Sequence, residues 1–340
     1  MILRAINPAN RVRLGCMVVL LTAWLVPGDT RKKTITHYDR YFAFCTSAYT
    51  LTALIALRSG EIDGVEHLLL VDPATLLTTM RPAHEFHVHE ASLEEIRSRY
   101  GASAYGAALA DAERRADTLA DAGITHTSVR SRGIDVTVDL CPSRRGLDRT
   151  FFIDLVKTLG TSETPIPVAI AVTGVWMKEH PDDMQWLLQN VKENKLSITW
   201  VNHSFHHRFK RGEDFRSNFL LEKGTDLNQE ILLTEKALLE TEAMPSVFFR
   251  FPGLISNKAV FSAVLSYGLI PVGSDAWLAK NERPTDGSIV LIHANGNEPV
   301  GIQRFLKLIR EEKHAADRRQ WTLFDLRESV VETEENKGMQ

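Results

Sequence analysis

The sequence predicts an α/β fold built on a mostly parallel sheet, open or closed as a barrel, preceded by a mainly helical N-terminal region. Three observations carry this reading. From residue 134 onward, short β-branched runs alternate with longer amphipathic ones, the pattern of repeated strand–helix units. The short runs are almost wholly apolar, as in Val168-Ala-Ile-Ala-Val172, which suits strands covered on both faces. The unusual polar residues fall at the C-terminal ends of those runs, where α/β folds collect their chemistry.

The chain begins with Arg4, Arg11 and Arg13, then an apolar run from Leu14 to Val26, then Pro27-Gly-Asp-Thr-Arg-Lys-Lys33. A basic flank and a short apolar core resemble a secretory signal. Residues 1–30 are therefore expected to direct export to the periplasm or cell envelope. An uncleaved anchor, the one route to membrane contact, or an over-extended start on a cytoplasmic protein are the alternatives. A second apolar run, Phe42 to Leu57, has the length of a buried helix rather than a membrane span, and Arg58-Ser-Gly60 would stop it. His67 to Asp72 reads as a short buried strand before Pro73. His84, His87 and His89 read as scattered surface histidines. Ser92 to Asp121 has helical spacing, opens on a capping-box sequence, Ser92-Leu-Glu-Glu95, and is divided at Gly101 and Gly106. Residues 31–130 form an accessory region without site chemistry of its own.

The strand–helix repeat then occupies residues 131–310. Strands are expected at 134–140, 165–172, 196–201, 247–251, 268–273 and 287–293. Helices are expected at 150–160, 181–194, 228–240, 257–267 and 301–310. Residues 311–340 are charged and read as a frayed tail. At 340 residues, 44% hydrophobic and 24% charged, the chain is long enough for a large core, and its net charge of −3 argues against a bulk nucleic-acid binder. Of three cysteines, Cys16 lies in the leading apolar run, so at most Cys45 and Cys141 could pair, and free thiols are the default.

The candidate site grows from Trp200-Val-Asn-His-Ser-Phe-His-His-Arg208. His203 and His207 are four apart, so one helical turn would place both imidazoles on one face, ready for a divalent metal. Against this stands the reading of a surface turn rich in histidine. The other strand ends supply Asp139, Arg250 with Pro252 and Gly253, Asp275 with Trp277, and His293. Each has an ordinary structural explanation alone; a parallel barrel would bring all of them to one mouth.

In order and spacing these residues resemble the polysaccharide deacetylases, the family-4 carbohydrate esterases. Thr137-Val-Asp-Leu-Cys-Pro142 stands where that family has Thr-Phe-Asp-Asp-Gly-Pro, and His203-Ser-Phe-His-His207 fits its His-Ser/Thr-x-x-His motif. Arg250-Phe-Pro-Gly253, Asp275-Ala-Trp277 and Leu291-Ile-His293 are versions of its Arg-x-Pro, Asp-x-x-Asp-Trp and Leu-x-His segments. The resemblance implies a distorted (β/α) barrel that removes N- or O-acetyl groups from an acetylated polysaccharide or glycan. It implies a divalent metal, Zn²⁺ foremost, held by His203 and His207. Asp139 would be the base, His293 the acid, Arg250 the partner of Asp139 and Asp275 the partner of His293. Trp277, Pro252 and Gly253 would line the substrate. One departure is serious: the third metal ligand of the family falls on Leu140. Asp139, Cys141, or His206 with water could take its place; otherwise a catalytically impaired, carbohydrate-binding relative remains.

Overall fold

The structure, a computed structural model, describes residues 33–331, all within one compact unit. The expected signal or anchor at 1–30 lies outside the described residues, as does 332–340.

The chain opens with a sheet, not with helices. Strands β1 (Ile35–Ser47), β2 (Ala53–Ile62), β3 (Val65–Val71), β4 (Thr78–Pro82) and β5 (Phe86–Glu90) form an antiparallel sheet in the order β4-β3-β2-β1-β5. This corrects the helix expected over Phe42–Leu57. That run is two strands and a turn, and its apolar density reflects cover on both faces of β2, where Ile55 to Arg58 are all buried. Asp63 and Gly64 close the next hairpin with φ of 52° and 80°, a two-residue turn that needs left-handed backbone at both positions. The expected strand near residue 67 and both later helices are present, the latter as α1 (Leu93–Tyr100) and α2 (Ala104–Glu113). Ser92 and Glu95 make the reciprocal capping box.

The barrel follows. Its parallel strands are β6 (Gly133–Leu140), β7 (Ile166–Val172), β8 (Leu196–Asn202), β9 (Pro245–Phe249), β10 (Ile270–Pro271), β11 (Ala276–Trp277) and β12 (Ile289–His293). They line up as β10-β9-β8-β7-β6-β12-β11 and curl into a half-barrel. Helices α3 (Arg149–Leu159), α4 (Gly174–Glu179), α5 (Pro181–Lys192), α6 (Leu227–Glu240), α7 (Lys258–Leu265) and α8 (Pro299–Asp317) fall between or after them. Strand alternation divides β6 between two faces. Ile134, Val136, Val138 and Leu140 pack with Phe151, Leu155 and Phe305 of the helical layer. The alternate residues, Asp135, Thr137 and Asp139, occupy the other face and are equally buried.

The expected frayed tail is also corrected. Helix α8 runs on to Asp317, β13 (Thr322–Leu323) pairs with the start of β6, and buried Leu326 and Val330 lie in a final helical segment. The accessory region is likewise built into the barrel. Ile55, Leu57 and Val71 share a core with Phe248, Phe261 and Ile270, and Arg58, fully buried, pairs with Glu235 of α6 at 2.8 Å. The sheet is open between its edge strands β10 and β11, and an extended segment bridges residues beside that gap: Ile124 pairs with Val272, just after β10, and His126 with Ser288, just before β12. Gly123 permits this approach, since a Cβ there would meet the Pro271 carbonyl oxygen at 2.3 Å.

Candidate metal centre and active site

The ends of β6, β8 and β12 meet at a cleft of about 610 Å³. His203 follows the last residue of β8, and the loop after it is fixed by Glu230 of α6. That buried carboxylate accepts hydrogen bonds from the backbone N–H groups of Phe205 and His206, and lies 2.8 Å from the His206 ring. The expected helical turn does not form. Instead Ser204 and His207 take positive φ, 67° and 46°, which folds the two imidazoles together with ring centroids 4.8 Å apart. His203 Nδ1 lies 2.8 Å from the Arg250 carbonyl oxygen. As the donor there, it leaves Nε2 to face the cleft, the arrangement that orients a ligating imidazole.

Cys141, just beyond the end of β6, completes a trio. Its Sγ lies 3.6 Å from His203 Nε2, and ligand atoms of Cys141, His203 and His207 all fall within 4.8 Å of one another. Tetrahedral zinc with one sulfur and one nitrogen ligand sets those two atoms about 3.5 Å apart, so the Cys141–His203 spacing already fits. The thiol also has the right charge. Burial alone would push it up, but the imidazoles of His207, His203 and His293 outweigh burial and hold it well below the usual thiol range. Thiolate is the form that binds metal. The other substitutes for the missing carboxylate fare less well. Leu140 sits on the helix-facing side of β6 and is fully buried. His206 is engaged with Glu230. Asp139 touches the trio only through His203, Oδ2 to Nε2 at 3.6 Å.

Asp139 belongs instead to a buried pair. Arg250 Nη1 donates to its Oδ1 at 2.9 Å and to Thr137 Oγ1, while Nη2 donates to the Gly273 carbonyl at 2.7 Å. Burial raises the Asp139 carboxyl, yet Arg250, with His203 and His293 behind it, holds it below the ordinary carboxylate range. It is an anion at neutral pH.

Across the cleft, His293 ends β12. Its Nδ1 lies 2.9 Å from Glu298 Oε2, an ion pair whose angle falls short of a regular hydrogen bond. Burial would lower the imidazole, but Cys141 and Glu298, with Asp139, outweigh it and push its pKa up to about 10. Trp277 Nε1 donates to the same Glu298 oxygen at 2.7 Å, and its ring lies over His293 with centroids 5.8 Å apart. The expected partner, Asp275, is elsewhere. Strand β11 pairs Ala276 with Val290 and Trp277 with Leu291, which sets Asp275 level with Ile289, four residues short of His293 and ~13 Å away. It accepts a hydrogen bond from the Ile289 N–H and pairs with His126 at 2.7 Å.

Of the residues expected at the substrate, Trp277 and Gly253 line the cleft, while Pro252 is buried and does not line it. Gly253 has a φ of 62°, and a Cβ there would meet the Phe219 ring at 2.4 Å. Glu298 and Glu230 were not legible as site residues. Glu298 lies in the Asn295-Gly-Asn-Glu298 loop after the Leu-Ile-His segment, and only that nearness marks it.

No protein-family profile matches the chain. Among solved structures it is similar to a family 4 carbohydrate esterase from Bacillus anthracis, at 17% identity over 65% of this chain and 90% of that one, TM-score 0.46. A family 4 carbohydrate esterase from Streptomyces lividans in complex with acetate matches at 16% identity over 58% and 93%, TM-score 0.39. A CE4 family pseudoenzyme from Bacillus anthracis matches at 12% over 62% and 70%, TM-score 0.43.

Proposed function

We propose that this chain is a divergent polysaccharide deacetylase, a metal-dependent hydrolase that removes acetyl groups from a glycan. The observation that carries the reading is the meeting of three differently poised groups in one cleft: a Cys–His–His donor trio, a carboxylate kept anionic by Arg250, and an imidazole kept cationic by Cys141 and Glu298. Cys141, His203 and His207 would hold the metal, with Cys141 in the role that Leu140 cannot fill. A divalent ion bound there supplies a polarised acetyl carbonyl and a water nucleophile near neutral pH.

Asp139 is the base, taking a proton from the attacking water, with Arg250 holding its unshared oxygen in place. His293 is the acid, giving its proton to the departing amine or alkoxide. Acid–base assistance of this kind contributes roughly 10²–10⁴-fold in rate. An imidazole at about 10 is a reluctant donor at neutral pH. Its leading upward pull is the Cys141 thiolate, followed by Glu298. Trp277 walls the cleft beside it. Export of the chain, expected from residues 1–30, belongs to the same proposal because a cell-envelope glycan lies outside the cytoplasm.

Metal content of the purified protein, measured with acetate release from chitin oligosaccharides, peptidoglycan and acetylated xylan, tests the proposal. Bound metal with acetate release is the expected result. Loss of the usual carboxylate at Leu140 favours one second reading, an impaired glycan-binding relative, and it predicts glycan binding without acetate release. A protein that neither retains nor takes up metal and releases no acetate overturns the enzyme.

A further inference from the structure

The sulfur offered to a metal is also placed as a nucleophile. Strands β6 and β12 run side by side with Asp139 level with His293. The Asn295 side-chain amide donates to the Cys141 carbonyl at 2.8 Å, which carries that pairing two residues further and sets Cys141 beside the His293 end. Its Sγ faces the His293 ring closely enough to share a hydrogen bond, and both residues line the cleft. With Nδ1 of that ring turned to Glu298 Oε2 at 2.9 Å, Nε2 is the nitrogen left for the sulfur. Trp277 Nε1 fixes Glu298 in turn at 2.7 Å. Thiol, imidazole and carboxylate thus stand in line as a nucleophile, the base beside it and the group that orients the base, roles recognised by geometry rather than by sequence order.

A second imidazole touches the sulfur, His203 Nε2 at 3.6 Å, but its Nδ1 rests on the neutral Arg250 carbonyl. Of these two rings, only His293 has a carboxylate on its far nitrogen to offset the charge of an accepted proton. A metal ligand does not need an imidazole held against its sulfur by a carboxylate; a nucleophile does. The surroundings suit a small acyl group. Pro142, Trp277 and Leu291 line the cleft together with Cys141 and His293, and Cys141 is only 8% exposed, so a bulky acyl chain would be kept from the sulfur.

We infer that, when no metal is bound, the cleft is a thiol-dependent hydrolase of short acyl esters, with Cys141 as nucleophile, His293 as acid and base, and Glu298 positioning His293. The Cys141 sulfur bonds to the carbonyl carbon, with the proton that it shares with His293 held on the ring. The carbon–oxygen bond to the alcohol breaks, that proton leaves with the alcohol, and Cys141 carries a thioester. His293 then takes a proton from water, and the water oxygen bonds to the thioester carbon. The carbon–sulfur bond breaks and the carboxylic acid departs, with the thiolate and the protonated ring restored. The two employments of the sulfur exclude one another, because a lone pair given to a metal is not free to attack carbon. Metal occupancy thereby selects between attack by water and attack by sulfur. The thiol route needs neither a glycan nor a metal, so it stands or falls apart from the deacetylase reading.

The test uses the intact protein, stripped of metal with dipicolinate and checked by metal analysis, beside the same protein shown to hold Zn²⁺. Each is mixed with p-nitrophenyl acetate or ethyl acetate, and acid-quenched samples are digested and read by mass spectrometry. The stripped protein should give a burst of nitrophenolate and carry acetyl on the peptide that holds Cys141, not on the one that holds Cys45. Bound Zn²⁺ should abolish both burst and adduct, and so should Cys141→Ser. His293→Gln should lower turnover of the stripped protein roughly 10²–10⁴-fold. Glu298→Gln should slow ethyl acetate, whose alkoxide must be protonated to leave, about tenfold more than p-nitrophenyl acetate, which departs as a stable anion; tenfold is the worth of one charge-assisted hydrogen bond. An adduct on the stripped protein without deacetylation of any glycan by the Zn²⁺ form would sustain the thiol route while removing the deacetylase. Glycan deacetylation by the Zn²⁺ form with no adduct on the stripped one would do the reverse. A burst that survives Cys141→Ser, an adduct that forms equally with Zn²⁺ bound, or a stripped protein that has lost its fold by circular dichroism would likewise overturn the thiol route.

Discussion

Replacing Arg250 with methionine isolates what the buried pair contributes. Arg250 is 0% exposed and Asp139 3%, so the variant leaves a carboxylate in the barrel without its counter-charge. Removing one partner of a buried pair destabilises by about 3–5 kcal/mol, and three further guanidinium contacts, to Thr137, Val272 and Gly273, go with it. At about 2 °C per kcal/mol for a chain of this length, the melting temperature should fall by roughly 6–10 °C. The pH dependence should reverse as well. A carboxyl held below its unfolded value contributes stability above that value and loses it as pH falls through the folded one. Without Arg250, burial is the leading influence on Asp139 and raises it. Stability should then decline as pH rises above about 4, the unfolded value. Adding Asp139→Asn to Arg250→Met should recover much of the loss and flatten the pH profile. Thermal and urea unfolding of the four proteins between pH 4 and 8 measure all of this. A variant within about 1 kcal/mol of the parent, or a loss that Asp139→Asn does not relieve, refutes the claim that the guanidinium holds the anion.

Three other outcomes are expected. Cys141→Ser should lower bound metal per chain, whereas Asp139→Asn should keep the metal and lose about 10²–10⁴-fold in kcat; metal analysis with the reverse ranking would exchange the two assignments. Glu298→Gln removes a group that raises His293, so the loss of activity at high pH should begin at lower pH, while Asp275→Asn should leave that limb of the pH–rate profile where it is. Glu235→Ala strands the buried Arg58 and should cost about 3–5 kcal/mol; calorimetry should still show one transition, and two separable ones would mean that the N-terminal sheet unfolds by itself.

The barrel was legible because its strands are covered on both sides and read as plain apolar runs, and because the helices between them carry one apolar stripe. The N-terminal sheet was misread for the same reason. Strand β2 is also covered on both faces, so no alternation distinguishes it from a buried helix, and the turn joining it to β1 has neither Gly nor Pro. The Asp63-Gly64 pair was the signal available. At the site, strand ends placed Asp139, His203 and His293 correctly in one cleft, with Arg250 buried behind Asp139. Asp275 was misplaced because β11 is two residues long, too short for a sequence pattern to reveal its register. The fate of Cys141 was open for a related reason: it follows the last paired residue of β6, where strand alternation no longer dictates which way a side chain points.

The extended segment that bridges residues beside β10 and β12 has a consequence for the chemistry. Its Ile124 carbonyl accepts a hydrogen bond from Gly273 N–H at 2.8 Å, and the Gly273 carbonyl in turn accepts from Arg250. The anion of Asp139 is thus three contacts removed from a residue that has no functional group of its own. A fragment beginning at residue 131 would retain every side chain of the cleft and still lack what aligns them. Ile124 is itself buried in the shared core, so truncating its side chain should lower the melting temperature and turnover together, and a search for determinants of activity confined to the cleft would pass over it.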